Sequence, residues 1–397
     1  MTDLLVPPDE NSLAEAVRAA AAAREPLAIE GHGTRRASLR PVQAARTLST
    51  RGLSGITLYR PAEMVLSARA GTPMPEIAAA LAEHRQMLPA EPPDFSALFG
   101  AALPPTLGGM VAANLSGPRR IGPGGALRDQ VLGVRAVTGD GAVIRSGGRV
   151  HKNVTGLDLC KLLAGSHGTL GVLTEITLKL APRPEDSLSL AVRVADLAAG
   201  VRALSAGLGS PFGVSGAALL PGGAPELGLD GPAALLRLED FSPFLPHRAG
   251  ALRGILAAHG AVSMVEGEAS LVLWRAVRDA APLEAAADQA VWRLSVRPTA
   301  APAVARALEE AFGARLLLDW GGGLVWAAGP ALEAAHRAVM AAARAARGTF
   351  TLFRAPDSLR AAVPVVPEEP AALAAIGVRV KAAMDPLGIL NPGRLRA

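Results

Sequence analysis

Between residues 104 and 180 the chain reads PPTLGGMVAANLSGPRR, then LRDQVLGVRAVTGDG, then HKNVTGLDLCKLLAGSHGTLGVLTEITLKL. Its glycines fall at turns between apolar runs, at Gly108, Gly109, Gly139, Gly141, Gly156, Gly165, Gly168 and Gly171. A residue without a Cβ adopts φ > 0 readily and lets main chain approach a flat or anionic ligand. Successive N–H groups in such turns form concavities that bind anions. One glycine turn only reverses a chain; several around one strand–helix–strand unit predict a long ligand laid across backbone.

The 397 residues suffice for two domains, each with its own core. Half are hydrophobic and 19% are charged, the balance of a soluble globular chain. The start, MTDLLVPPDENS, carries acids and prolines where a signal peptide needs a basic start and an apolar run. No run of 18 uninterrupted apolar residues occurs, so no membrane-spanning helix is expected. These features predict a cytoplasmic location.

A net charge of +5 raises the question of nucleic acid. Only four of the 40 basic residues are lysines, Lys152, Lys161, Lys179 and Lys381, and the arginines are scattered. Tyr59 is the single tyrosine, so the stacking platforms of a single-strand binder are lacking, as is a duplex-docking motif. Nucleic acid is therefore not an expected partner, whereas acidic small molecules or an acidic protein surface suit the charge. Cys160 stands alone, which rules out an intramolecular disulfide and a cysteine-ligated iron–sulfur cluster. Its place in LDLCKLL predicts a buried packing thiol.

Ser12-Leu-Ala-Glu15 has the form of a capping box opening an alanine-rich helix that stops before Pro26. Strands are predicted at 27–29, 56–59 and 64–69, a helix from Pro73 to His84, and a short helix from Asp158 to Leu163. Val172 to Leu180 alternates as a half-buried strand, ended by Pro182 and Pro184. Leu188, Leu190, Val192 and Val194 form a further strand, with Asp196 capping the next helix. Strand–helix pairs follow at 233–239 with 246–258, 290–297 with 299–312 and 350–354 with 370–384. The second half thus predicts an α+β domain whose sheet is largely antiparallel and covered by helices.

Gly31-His32-Gly33-Thr34 follows a strand, but Arg36 stands where a G-x-G-x-x-G fingerprint needs glycine, and the next residues run into Pro41. No G-x-x-x-x-G-K-[ST] occurs. A nicotinamide-type Rossmann unit and a P-loop are both excluded.

The order of these motifs resembles the FAD-binding domain of the vanillyl-alcohol oxidase and p-cresol methylhydroxylase superfamily. Within it GPRR, RDQVLG, GDGAVIRSGGRVHKNVTGLDLCKLLAGSHGTLGVLTE and the ending LNPGRL are similar to the FAD-binding (E) subunits of glycolate oxidase. The match covers roughly 5–183 and the last two dozen residues; between 184 and 370 it rests mainly on LDWGG at 318–322. The resemblance implies an α+β fold: a two-subdomain FAD domain of the p-cresol methylhydroxylase type at 1–183, a cap at 184–370, and a segment at 371–397 returning to the FAD domain.

By the same resemblance, Gly31, His32, Gly33 and Thr34 wrap the FAD pyrophosphate with backbone N–H groups, and Thr34 adds its hydroxyl. Pro105, Thr106, Gly108, Gly109, Ala112 and Asn114 form a second contact, where a helix amino terminus offers its N–H groups. Gly165, Ser166, Gly168, Thr169, Gly171 and Val172 form a third. Histidyl-linked relatives carry their linking residue where Gly33 stands here, so the expected FAD is non-covalent and His32 a rim residue. Glu175 reads as structural. His167 is the one histidine within a cofactor-like motif placed to approach substrate or flavin, and Arg119 with Arg120 suits either a substrate carboxylate or a neighbouring subunit.

The family oxidises glycolate, a 2-hydroxy acid, at its CH–OH group and passes electrons onward through a second flavin subunit and an iron–sulfur subunit. Hydroxy-acid-oxidising relatives carry an H-x-H metal motif in the cap; His247, His259 and His336 are too far apart in sequence for one, so no metal is expected. Two other readings stay open: a self-sufficient FAD oxidoreductase acting on another alcohol, hydroxy acid or sugar acid, and a flavin-bearing structural subunit without turnover. No catalytic base is identified.

Overall fold

Three larger sheets and two two-stranded ones build the chain in its computed structural model, which describes residues 3–122, 124–149, 157–224 and 229–396. Gly156, counted among the glycine turns, lies outside these. The first sheet is parallel, in the order Asp3–Leu5, Arg46–Ser49, Leu27–Glu30. Helix Glu10–Ala23 covers it through Leu13, Ala14, Val17 and Ala20. Asp9 starts this helix, its carboxylate accepting from Ser12 N at 2.8 Å. The helix therefore begins three residues before the expected capping box, with Asp9 as its N-cap in place of Ser12.

The second sheet is antiparallel: Ile56–Arg60, Val65–Arg69, Val172–Lys179, Val131–Val137, Val143–Gly147. Val172–Lys179 lies mid-sheet and is mostly buried rather than half-buried. Thr177 on its polar face bonds the Ser67 hydroxyl at 2.8 Å, which satisfies a polar group inside the core.

The third sheet has eight strands, all antiparallel: Val262–Glu266, Asp186–Arg193, Ala233–Asp240, Gly216–Leu220, Arg315–Asp319, Leu324–Gly329, Ala290–Ser295, Thr349–Arg354. Leu190, Val192, Trp292 and Leu294 face helices Leu197–Leu208, Leu245–Leu256, Ala301–Phe312 and Glu333–Ala345. Ala191, Leu235, Val291 and Trp326 face the other way, into one core with Phe95, Leu107, Met110 and Ile176. The large sheet is thus packed on both faces, and its inner face meets the 107–113 helix.

The chain's end returns across this assembly. Leu27 N donates to Ile389 O at 2.8 Å and Asn391 N to Leu27 O at 2.9 Å. Asp385, 1% exposed, accepts from Ile389 N and Leu390 N, which fixes that strap.

Candidate cofactor site

Strand Leu27–Glu30 delivers the 31–34 loop to one wall of a cavity of about 470 Å³. Helix Leu107–Ala113 and the 167–173 turn supply the facing walls. Loop and helix touch closely: a Cβ on Gly31 would stand 2.1 Å from Thr106 Oγ1. A Cβ on Gly109 would meet Thr106 Oγ1 alone, at 3.3 Å, and otherwise enter open space.

Of the residues the sequence pointed to, Gly31, His32, Gly33, Thr34, Pro105, Thr106, Gly108, Gly109, Ala112, Gly168, Gly171 and Val172 line this cavity. Asn114, Gly165, Ser166 and Thr169 stand behind its wall. Asn114 ends the 107–113 helix at φ 49, its side chain accepting from Arg128 N at 3.0 Å. Gly165 N donates to Val111 O, and the Thr169 hydroxyl to Ser166 O at 2.7 Å. These four shape the turn rather than face the cavity.

Several donors expected to face the ligand are already spent. Leu107 N and Gly108 N donate to Thr72 O and Ala70 O, and Gly109 N to the Thr106 hydroxyl. The packed junction with strand Val65–Arg69 claims the N–H groups expected to face the ligand. The Thr34 hydroxyl donates to Leu103 O at 3.3 Å, and His32 Nδ1–H to Pro104 O at 2.8 Å. Within the described residues, the N–H groups of His32, Gly33 and Thr34 have no backbone partner.

The sequence reading missed the cations. Arg35 and Arg394 line the cavity, and no acid lies within ion-pair distance of either among the described residues. Arg35 gives one bond to Gly109 O at 2.7 Å. Arg394 bonds Arg40 O and Arg35 O, each at 3.1 Å. Burial pulls the Arg35 guanidinium down to about 10; burial, with Arg35 and Arg360 adding repulsion, pulls Arg394 to about 9. Burial, aided by Arg35 and Arg394, also pushes His167 down to about 3, leaving its imidazole neutral. The acids that line the same cavity, Glu30 and Asp357, are paired with Arg36 and Arg360. Arg35 directly follows the 31–34 turn and was visible there; Arg394 reaches it from the far end of the sequence.

Asn391 fastens the same corner. Its side chain accepts from Ile29 N at 2.8 Å and donates to His167 O at 2.9 Å, holding the first and third walls together.

Arg119 is not available to a ligand. It donates to Glu239 at 2.9 Å through Nε and lies 3.7 Å from Glu91. Among the described residues Arg120 has no such pair, and it lies over the Trp320 ring, 4.9 Å from its centroid. His336 is buried and accepts from Trp292 Nε1 at 3.1 Å. Glu175 stands opposite Arg69 and Arg135 on the flanking strands, a structural carboxylate.

Residues 3–147 match the FAD binding domain family. Over 387 residues the chain is 36% identical to the glycolate oxidase subunit GlcE of Escherichia coli (strain K12), covering 97% of each. The chain belongs to the GlcE family. A shorter stretch of 85 residues is 44% identical to glycolate oxidase subunit GlcD of Bacillus subtilis (strain 168), covering 21% of this chain and 18% of that one. A 4-ethylphenol oxidase from Gulosibacter chungangensis shares the fold, with a TM-score of 0.72 at 14% identity over 99% of this chain and 88% of that one.

The GlcE family's cofactor, FAD, carries a diphosphate. The unpaired guanidiniums of Arg35 and Arg394 and the unclaimed N–H groups of residues 32–34 supply the charge and donors such a group requires. The open direction at Gly109 leaves room beside them. The residues present fit FAD. Among the described residues, no helix is long and apolar enough to cross a membrane.

Proposed function

We propose that this chain is the FAD-binding subunit of a glycolate oxidase complex, oxidising glycolate to glyoxylate together with a second flavin subunit and an iron–sulfur subunit. The observation carrying the reading is the 97% coverage by the GlcE relative, joined to a cavity lined by Arg35 and Arg394, which have no acid within ion-pair distance among the described residues.

In this reading residues 1–183 form the FAD domain, 184–370 the cap, and 371–397 the strap that closes the cofactor's corner. Arg35, Arg394 and the N–H groups of His32, Gly33 and Thr34 hold the diphosphate. Gly109 and Ala112 admit the cofactor along the 107–113 helix. Bound FAD supplies a two-electron acceptor for the C–H bond beside a hydroxyl. His167, its pKa pushed down by burial and by Arg35 and Arg394, serves there as a neutral wall residue. Gly33 offers no side chain for a covalent link, so the FAD is held non-covalently.

The test is anaerobic mixing of the FAD-loaded chain with glycolate, alone and with its partner subunits, followed by flavin absorbance. Bleaching that needs the partners supports the proposal. Bleaching in the chain alone would favour a self-sufficient oxidoreductase, and none in the full complex would leave a structural flavin subunit.

A further inference from the structure

The run Leu318-Asp319-Trp320-Gly321-Gly322 makes a turn that the cofactor cavity does not use. Trp320 has φ 55, Gly321 φ 68 and Gly322 φ 96, three consecutive left-handed residues between strands Arg315–Asp319 and Leu324–Gly329. A tryptophan holds that conformation only where its surroundings enforce it. Here Asp319 accepts from Trp320 N at 2.7 Å, and Trp320 Nε1 reaches Gly117 O at 3.1 Å, across to the segment after the 107–113 helix.

The strained turn sets the indole beside two guanidiniums. Cζ of Arg120 and Cζ of Arg293 each lie 4.9 Å from the Trp320 ring centroid. Arg293 sits opposite Trp326 in the strand ladder, 5.7 Å from its ring. Its Nε is buried without a hydrogen-bond partner. Among the described residues, no acid lies within ion-pair distance of Arg120 or Arg293. Neighbouring arginines are treated differently: Arg119 and Arg237 are fully paired with Glu91 and Glu239. Burial pushes Asp319 up to about 7, so it compensates Arg293 only weakly.

We infer that Arg293 and Arg120, set around the Trp320 indole, bind the carboxylate of a small 2-hydroxy or 2-oxo acid. A guanidinium with an unclaimed N–H is a flat fork that matches a carboxylate. The backbone and indole N–H groups of Trp320 are spent, so the remaining donors are the two guanidinium forks. Behind them Phe95, Trp326 and Phe353 close-pack with ring centroids 5.0–5.5 Å apart. The identity of the acid rests on the function proposed above; the anion site itself does not.

The experiment is calorimetric titration of the FAD-loaded full chain with oxalate, a carboxylate that cannot be oxidised at a CH–OH carbon, and with inorganic phosphate. Wild type should bind oxalate saturably and phosphate much more weakly. Arg120→Ala, at an exposed position, should weaken oxalate at least about tenfold with FAD retention unchanged. Arg293→Met should abolish oxalate binding and leave the melting temperature unchanged or higher, because it removes a buried cation without an acid partner. A structural strut would behave oppositely, with a lower melting temperature and oxalate binding intact, and that result overturns the site. No oxalate binding in wild type, or phosphate binding as tight as oxalate, overturns it too. Turnover is not read, so a chain that binds oxalate here yet never oxidises glycolate keeps the site and refutes the function.

Discussion

Arg237 presents both arms of its guanidinium to Glu91, Nη1 to Oε1 and Nη2 to Oε2, each at 2.9 Å. Arg237 rises from the middle of the large sheet, 1% exposed, and lies 4.7 Å over the Trp274 ring. Glu91 comes from the amino-terminal half. Glu239 and Arg119 complete a buried four-membered network between the halves.

Removing one partner of such a pair strands the other charge. Glu91→Ala should cost about 3–5 kcal/mol. The check is denaturant unfolding against wild type. A loss under about 1 kcal/mol would mean that water reaches Arg237 and the network is a surface pair.

Acid should loosen this network in a defined order. Burial raises both carboxyls, but Arg237 and Arg119 outweigh it, keeping Glu91 below its ordinary value and Glu239 at about 2. A folded-state pKa below the unfolded 4.5 gives stability that is complete above 4.5 and drains as pH falls towards 2. His167 acts earlier in the same direction: the unfolded chain takes a proton near 6.5, which the folded chain refuses until about 3. His336, also pulled down by burial, adds to that earlier phase. Melting temperature should therefore begin to fall below about pH 6.5 and fall again below 4.5. His167→Asn, which tolerates φ 52, should remove part of the first phase. An unchanged first phase in that variant would place the proton uptake elsewhere.

Gly109→Val should abolish FAD retention while the large sheet stays folded, because its Cβ enters the cavity rather than the core. Circular dichroism and bound-flavin content report the two separately. Full FAD occupancy in the variant would remove this helix from the cofactor's path.

Much of this was legible because it was local. Asp196 caps its helix as expected, accepting from Ala199 N at 2.7 Å, and the alternation at 188–194 is a strand. Strands Gly216–Leu220 and Leu324–Gly329 escaped because they are buried on both faces and show no alternation. The glycine turns announced a cofactor cavity, but not that backbone carbonyls of Thr72 and Ala70 claim the helix's N–H groups. Arg394 and Arg35 stand 359 positions apart, and only the fold makes them neighbours.

Arg394→Met should weaken FAD at least about tenfold, the worth of one charge-assisted bond. Apo-chain melting should change less than holo-chain melting, since the lost term is ligand linkage. Equal shifts in both forms would make Arg394 a structural residue.

Titration of the apo-chain with FAD, followed by acid precipitation, tests the central claim most directly. The account predicts saturation at one FAD per chain, with the flavin recovered in the supernatant. Flavin remaining with the denatured pellet would contradict non-covalent binding at the 31–34 loop, and no saturable binding would contradict the cavity as a cofactor site.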